Sequence, residues 1–166
     1  IPILVRNWKL HAAELESCQR ENPNWYVSEQ PEESQSPWRH HLRKRRIYVK
    51  AAIEQFLREQ GLERVERLLD IGCGDGNHLS YLSAYADKVC GSDYNIVRLA
   101  RAKLNNHMRG SAAGYVLFLA DILDYPVCDN FFDIVFFNHS LEHISQDVKA
   151  LQTVYRILKP GGLLVL

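Results

Sequence analysis

Leu68-Leu69-Asp70-Ile71-Gly72-Cys73-Gly74-Asp75-Gly76 decides how the rest of the chain is read. A short apolar run over Arg67–Ile71 ends in glycines at alternate positions, which predicts a strand entering a tight turn. A helix is expected next, over His78–Ala86. Glycine lets the backbone bend sharply and touch a ligand where a Cβ would block it. The spacing is G-x-G-x-G followed by Asn77, which departs from the dinucleotide fingerprint G-x-G-x-x-G. No Lys-Ser/Thr pair follows, as a phosphate loop would require. Asp70 would repel a pyrophosphate and would suit a ligand bearing a cationic amine. The alternative is a plain strand-to-helix turn that holds no ligand.

Downstream, apolar runs alternate with helical periods. Lys88–Gly91, Tyr115–Ala120 and Phe131–Asn138 read as strands, and Ile96–Met108 and Val148–Leu158 as helices. Lys159-Pro160-Gly161-Gly162 reads as a turn before a strand beginning at Leu163–Leu166. Strands alternating with helices imply an α/β fold, a doubly wound and mainly parallel sheet. Upstream, Ser36 and Pro37 form a helix start, and Trp38, Leu42, Val49, Ile53, Phe56 and Leu57 share an apolar face that ends near Gly61. Residues 1–35 carry no clear period and are expected to form an irregular or weakly helical arm. Two units follow: an N-terminal arm and amphipathic helix over 1–60, and a ligand-binding domain over 61–166.

Two further acids fall at expected strand ends. Asp93 lies twenty-one residues after Gly72, the distance at which an acid can accept hydrogen bonds from ribose hydroxyls. It could instead cap the helix starting near Ile96, a role open to Asn95 as well. Asp121 follows the third strand and could bond an exocyclic amine of a base while Ile122 packs on its ring; a solvated turn is the other reading. All three acids sit where open α/β sheets bind ligands.

On these residues the chain resembles the class I S-adenosylmethionine-dependent methyltransferases, within them the broad type 11 small-molecule group. The matching stretches are LLDIGCGDG at 68–76, GSD at 91–93, AD at 120–121, DNFFDIV at 129–135, LEH at 141–143 and RILKPGG at 156–162. The resemblance implies a Rossmann-like methyltransferase fold and S-adenosyl-L-methionine as cofactor; no metal site is expected, since no histidines flank the cysteines at zinc-finger spacing. It assigns Asp70, Gly72, Cys73, Gly74 and Gly76 to the methionine part, Asp93 to the ribose, and Tyr94, Asp121 and Ile122 to the adenine. Asn138 lies beside the cofactor, and His139 is the candidate general base, its competing role being to line the pocket. Glu142 and His143 are expected to organise that loop. Because the resembling fold has seven strands, the chain is expected to be truncated after strand five.

The expected activity is methyl transfer to a small-molecule acceptor. A non-catalytic cofactor-binding module, or a fragment completed by another chain, is the alternative. The 166 residues carry 20 Lys+Arg and 20 Asp+Glu, a balance that argues against a dedicated nucleic-acid binder. Hydrophobic residues at 46% and charged residues at 24% describe a soluble globule, and no apolar run approaches the ~20 residues of a bilayer span. Cys18, Cys73, Cys90 and Cys128 form no C-x-x-C pair, and with no signal-peptide pattern they read as reduced cytoplasmic thiols. Arg39, Arg43, Lys44, Arg45 and Arg46 form a basic run with three readings: a solvated face, a rim attracting an acidic substrate or the cofactor carboxylate, or a nucleic-acid contact through phosphates.

Overall fold

Parallel pairing of buried apolar strands builds the molecule. The computed structural model describes residues 3–5, 39–108 and 115–166. Its strands are β1 (Ile3–Val5), β2 (Val65–Ile71), β3 (Ala86–Asp93), β4 (Tyr115–Leu119), β5 (Phe132–Phe136) and β6 (Leu158–Val165). They form one sheet in the order β1-β4-β3-β2-β5-β6, every pair parallel. From β2 the chain first builds outward through β3 and β4, then crosses back to β5 and β6 on the other side. The reversal at β2 is the topological switch point, the position where such sheets bind ligands beyond the carboxyl ends of their strands.

Successive residues of a strand face opposite sides of the sheet, so each β2 residue feeds a different core. Leu68 joins Val89, Leu117, Ile134 and Phe136 on one face. That face is covered by α1 (Arg39–Gln60), α2 (Leu79–Leu82) and α3 (Ile96–Met108). Leu69 joins Phe118, Val135 and Phe137 on the other, covered by Ala150, Val154 and Ile157 of α4 (Asp147–Ile157). Of the apolar stripe expected on the long helix, Val49, Ile53 and Leu57 are buried, each burial stabilising by about 1.5–3 kcal/mol, and Phe56 packs partly buried against the same core, while Trp38 lies outside the described residues. The stripe belongs to the sheet's own core, so this helix is part of the same packed body. The helix closes where expected, with Gly61 N–H donating to Arg58 C=O at 3.1 Å and Leu62 N–H to Leu57 C=O at 2.9 Å. The expected start at Ser36 and Pro37 lies outside the described residues.

Three expectations are corrected. Ile3–Val5, inside the stretch expected to be irregular or weakly helical, is a short strand on β4. The helix expected over 78–86 shrinks to the single turn of α2, because β3 already begins at Ala86. The Lys159–Gly162 turn is absorbed into β6: Phe132 pairs with Leu158 and Ile134 with Leu163, so the strand bulges there. Gly161 makes the bulge possible at φ +76, a conformation that side chains with a Cβ rarely adopt. Lys159 Nζ then donates to Asp133 Oδ1 at 2.7 Å and pins the bulge to β5.

Candidate active site

The carboxyl ends of β2, β3 and β5 and the turn after β4 bring the predicted residues to one edge of the sheet. Asp70 pairs there with Gly91 and Phe136 in the middle of the sheet. Its side chain is buried, and Oδ2 has no hydrogen-bond partner among the described residues. Burial, then the nearby charge of Asp93, pushes its carboxyl well above the usual carboxylate range. A buried acceptor without a donor is costly, so this position calls for a ligand that donates, and a cationic amine answers best.

The glycine loop is held in shape before any ligand arrives. Cys73 N–H donates to Ser92 C=O at 2.9 Å, and Gly76 N–H to Cys73 C=O at 2.9 Å. Gly72 has φ +69, and a Cβ placed there would collide with Ser140 Oγ. The turn after β5 therefore packs directly on the loop after β2. Buried Asp75 accepts from Arg98 Nε at 3.1 Å, and the same guanidinium covers Gly74. Cys73 is buried, and burial pushes its thiol well up, so it lines the loop as a neutral group.

Asp93 is engaged at both oxygens. Oδ2 accepts the Gly74 N–H and Oδ1 the Asn95 N–H, each at 2.8 Å. Asn95 caps α3 through Oδ1, which accepts from Val97 N–H at 2.9 Å and Arg98 N–H at 3.3 Å. The capping alternative for Asp93 thus goes to Asn95, but Asp93 is not thereby left free, as the sequence suggests; it braces the glycine loop. A carboxylate has about four acceptor sites, so two remain for hydroxyl donors. Burial raises its pKa, and the two backbone bonds oppose the rise. Tyr94, next along, is half-buried.

Asp121 caps a 3₁₀ turn at Ile122–Asp124 by accepting Leu123 N–H at 2.9 Å, and Ile122 is buried. Asn138 is half-buried at the end of β5, and its carbonyl accepts from Ser140 Oγ–H at 3.4 Å. His139 has φ +52 and an exposed ring. Its Nδ1 stands 3.1 Å from Glu142 Oε1, and the Glu142 pKa is lowered first by its own backbone N–H and then by His139 and His143. With Nδ1–H donated to that carboxylate, Nε2 is the ring's acceptor.

The sequence reasoning missed Ser140, Arg98, His78 and Tyr81 as parts of this site. Ser140 and Arg98 act on glycines, which carry no side chain to signal a partner. His78 meets Phe136 and Tyr81 edge-on, at centroid distances of 5.3 and 5.6 Å. Burial and the positive groups around His78 lower its pKa to about 4, so it is neutral at pH 7. No group of three or more metal-ligating side chains occurs among the described residues.

The methyltransferase domain family model matches residues 69–166, more than half of the chain. Over 110 residues the chain is 34% identical to a ubiquinone/menaquinone biosynthesis C-methyltransferase of Yersinia pestis, covering 63% of this chain and 43% of that protein. The chain thus spans less than half the length of such curated relatives. A SAM-dependent methyltransferase structure from Aquifex aeolicus is similar at TM-score 0.56 and 27% identity, over 65% of this chain and 58% of that one. The [4+2]-cyclase SpnF is similar at TM-score 0.61 over 99% of this chain and 61% of its own, at 23% identity. The last likeness is one of fold, which by itself does not fix a reaction.

Proposed function

From the premise that the chain belongs to the methyltransferase domain family, and with it to the class I S-adenosylmethionine-dependent methyltransferases, we propose that it transfers a methyl group to a small-molecule acceptor. The observation that carries the reading is the buried, unpartnered Oδ2 of Asp70 at the switch point. The glycine loop and the acids at 93 and 121 lie on the same edge of the sheet. These residues fit the cofactor: a cation for Asp70, a backbone cradle at Gly72–Gly76, a diol for Asp93, and a base between Asp121, Ile122 and Tyr94.

When bound, S-adenosylmethionine supplies an electrophilic sulfonium methyl. Asp70 fixes the ammonium, Asp93 the ribose, and Asn138 the flank nearest β5. His139 takes the acceptor's proton at Nε2 while Glu142 holds the ring in that tautomer, as a general base needs an orienting partner. The chain's remaining task is to hold the acceptor in line and exclude water.

Relatives named for ubiquinone and menaquinone biosynthesis support a small acceptor and favour carbon as the methylated atom. The unit that holds the cofactor is 61–166, against whose core Val49, Ile53 and Leu57 of α1 pack. Among the described residues no helix is long and apolar enough to cross a membrane. The free thiols of Cys73, Cys90 and Cys128 suit a cytoplasmic setting. Transfer of labelled methyl from S-adenosylmethionine to a panel of small phenols, amines and activated carbon acids tests the proposal. Labelled product supports it; cofactor binding with no transfer to any class favours the non-catalytic module.

A further inference from the structure

The fold divides the basic run of α1. Arg43 and Lys44 are exposed, whereas Arg45 and Arg46 are half-buried. Arg46 Cζ lies 4.6 Å from the centroid of the Tyr81 ring. Tyr81 meets His78, and His78 meets Phe136 at the end of β5. A chain of rings therefore carries α1 to the ligand edge of the sheet. In the 139–143 turn, which follows β5, His139 holds Glu142. Arg45 is under the electrostatic influence of Tyr81 and Glu142, and His78 under that of Arg45, Arg46 and His139. The two arginines and two histidines thus form one cluster of interacting groups beside that edge.

Within that cluster the arginines differ. Arg46 is stacked on Tyr81. Arg45 is half-buried, yet no hydrogen bond or ion pair among the described residues holds its guanidinium. A guanidinium stays charged, and withdrawing it from water without a bonded partner costs free energy that an anion would offset, best through a two-pronged contact. The nearby acids have other work: Glu142 is bonded to His139, and Asp70 is assigned to the cofactor's ammonium.

We propose that Arg45 receives an anionic group of the methyl acceptor, a carboxylate or phosphate, so that the substrates are acidic small molecules. The inference rests on the methyltransferase reading. The competing occupant is the cofactor's own carboxylate, and the test separates the two.

S-adenosylhomocysteine, the demethylated product, is first titrated into the parent chain, Arg45→Gln and Arg43→Gln. Benzoate, inorganic phosphate and uncharged benzamide are then titrated into each saturated protein. The expected result is product affinity equal in all three within about twofold, which also shows that the variants are folded. At least one anion should bind the parent and Arg43→Gln alike, bind Arg45→Gln roughly tenfold more weakly, and outcompete benzamide. Anion affinity unchanged in Arg45→Gln, or no anion binding to the parent, overturns the proposal. So does a tenfold loss of product affinity in Arg45→Gln, which gives the arginine to the cofactor carboxylate. No product binding to the parent overturns the cofactor reading instead, before any anion is added.

Discussion

Asp93 Oδ2 accepts the Gly74 N–H at 2.8 Å, which ties the acid at the end of β3 to the middle of the glycine loop. One carboxylate therefore shapes the cradle and faces the ligand edge, and its loss acts on both. Asp93→Ala should weaken S-adenosylhomocysteine binding by roughly 1–3 kcal/mol, and unfolding in urea should show a similar loss of stability. From the sequence alone only the first effect is expected. Intact stability with weakened binding would show that the Gly74 bond contributes nothing to the fold.

Asp70 makes the opposite trade. Its carboxyl is held well above the usual range by burial, so the folded state binds its proton more tightly than the unfolded chain does. That stability is fully present below pH 3.8, the ordinary value, and is lost as pH rises through the folded value. At pH 7 the ligand-free chain bears a penalty that Asp70→Asn removes. The variant should melt higher than the parent without ligand, yet bind S-adenosylhomocysteine about tenfold or more weakly, the loss expected for a charge-assisted bond. A variant melting below the parent would contradict this account of Asp70.

His78 titrates in the other sense. Its pKa falls from 6.5 to about 4, so the stability it contributes is present above pH 6.5 and is lost as pH falls toward 4. The loss should reach about 1–3 kcal/mol after allowance for its partial exposure. Melting curves of the parent and His78→Gln between pH 7.5 and 4.5 check this: the parent's steeper fall should flatten in the variant. Parallel curves would rule His78 out as the source.

Gly72→Ala should destabilise by roughly 2 kcal/mol or more, since φ +69 alone costs about 1–2 kcal/mol for a residue with a Cβ. Removing Ser140 Oγ should recover only part of that, because Ser140→Ala leaves the Cβ of residue 140 2.8 Å from the added methyl and leaves the backbone strain. Urea denaturation of the double variant matching the parent would mean that the Oγ collision alone was responsible.

The parts of the fold legible in the sequence were those written in period and punctuation. Ile96–Met108 matches its expected bounds, and β2, β4, β5 and α4 fall within two residues of theirs, because buried strands and one-sided helices leave strong apolar patterns. β1 stayed hidden: three apolar residues carry no period, and only the waiting edge of β4 makes them a strand. The KPGG segment reads as a turn because Pro and Gly usually punctuate, whereas here they build a bulge within β6. In the site, the acids could be placed from their distance along the chain. Arg45 was legible only as one member of a basic run with three readings, and Arg98 and Ser140 not at all, since their meaning lies in contacts across elements.

Isothermal titration of S-adenosylhomocysteine and of NADH into the parent chain and Asp70→Asn tests the central claim most directly. The account predicts saturable one-site binding of S-adenosylhomocysteine to the parent, loss of about tenfold or more in the variant, and no comparable binding of NADH. NADH binding more tightly than S-adenosylhomocysteine, or equal affinity of parent and variant for the product, would contradict it.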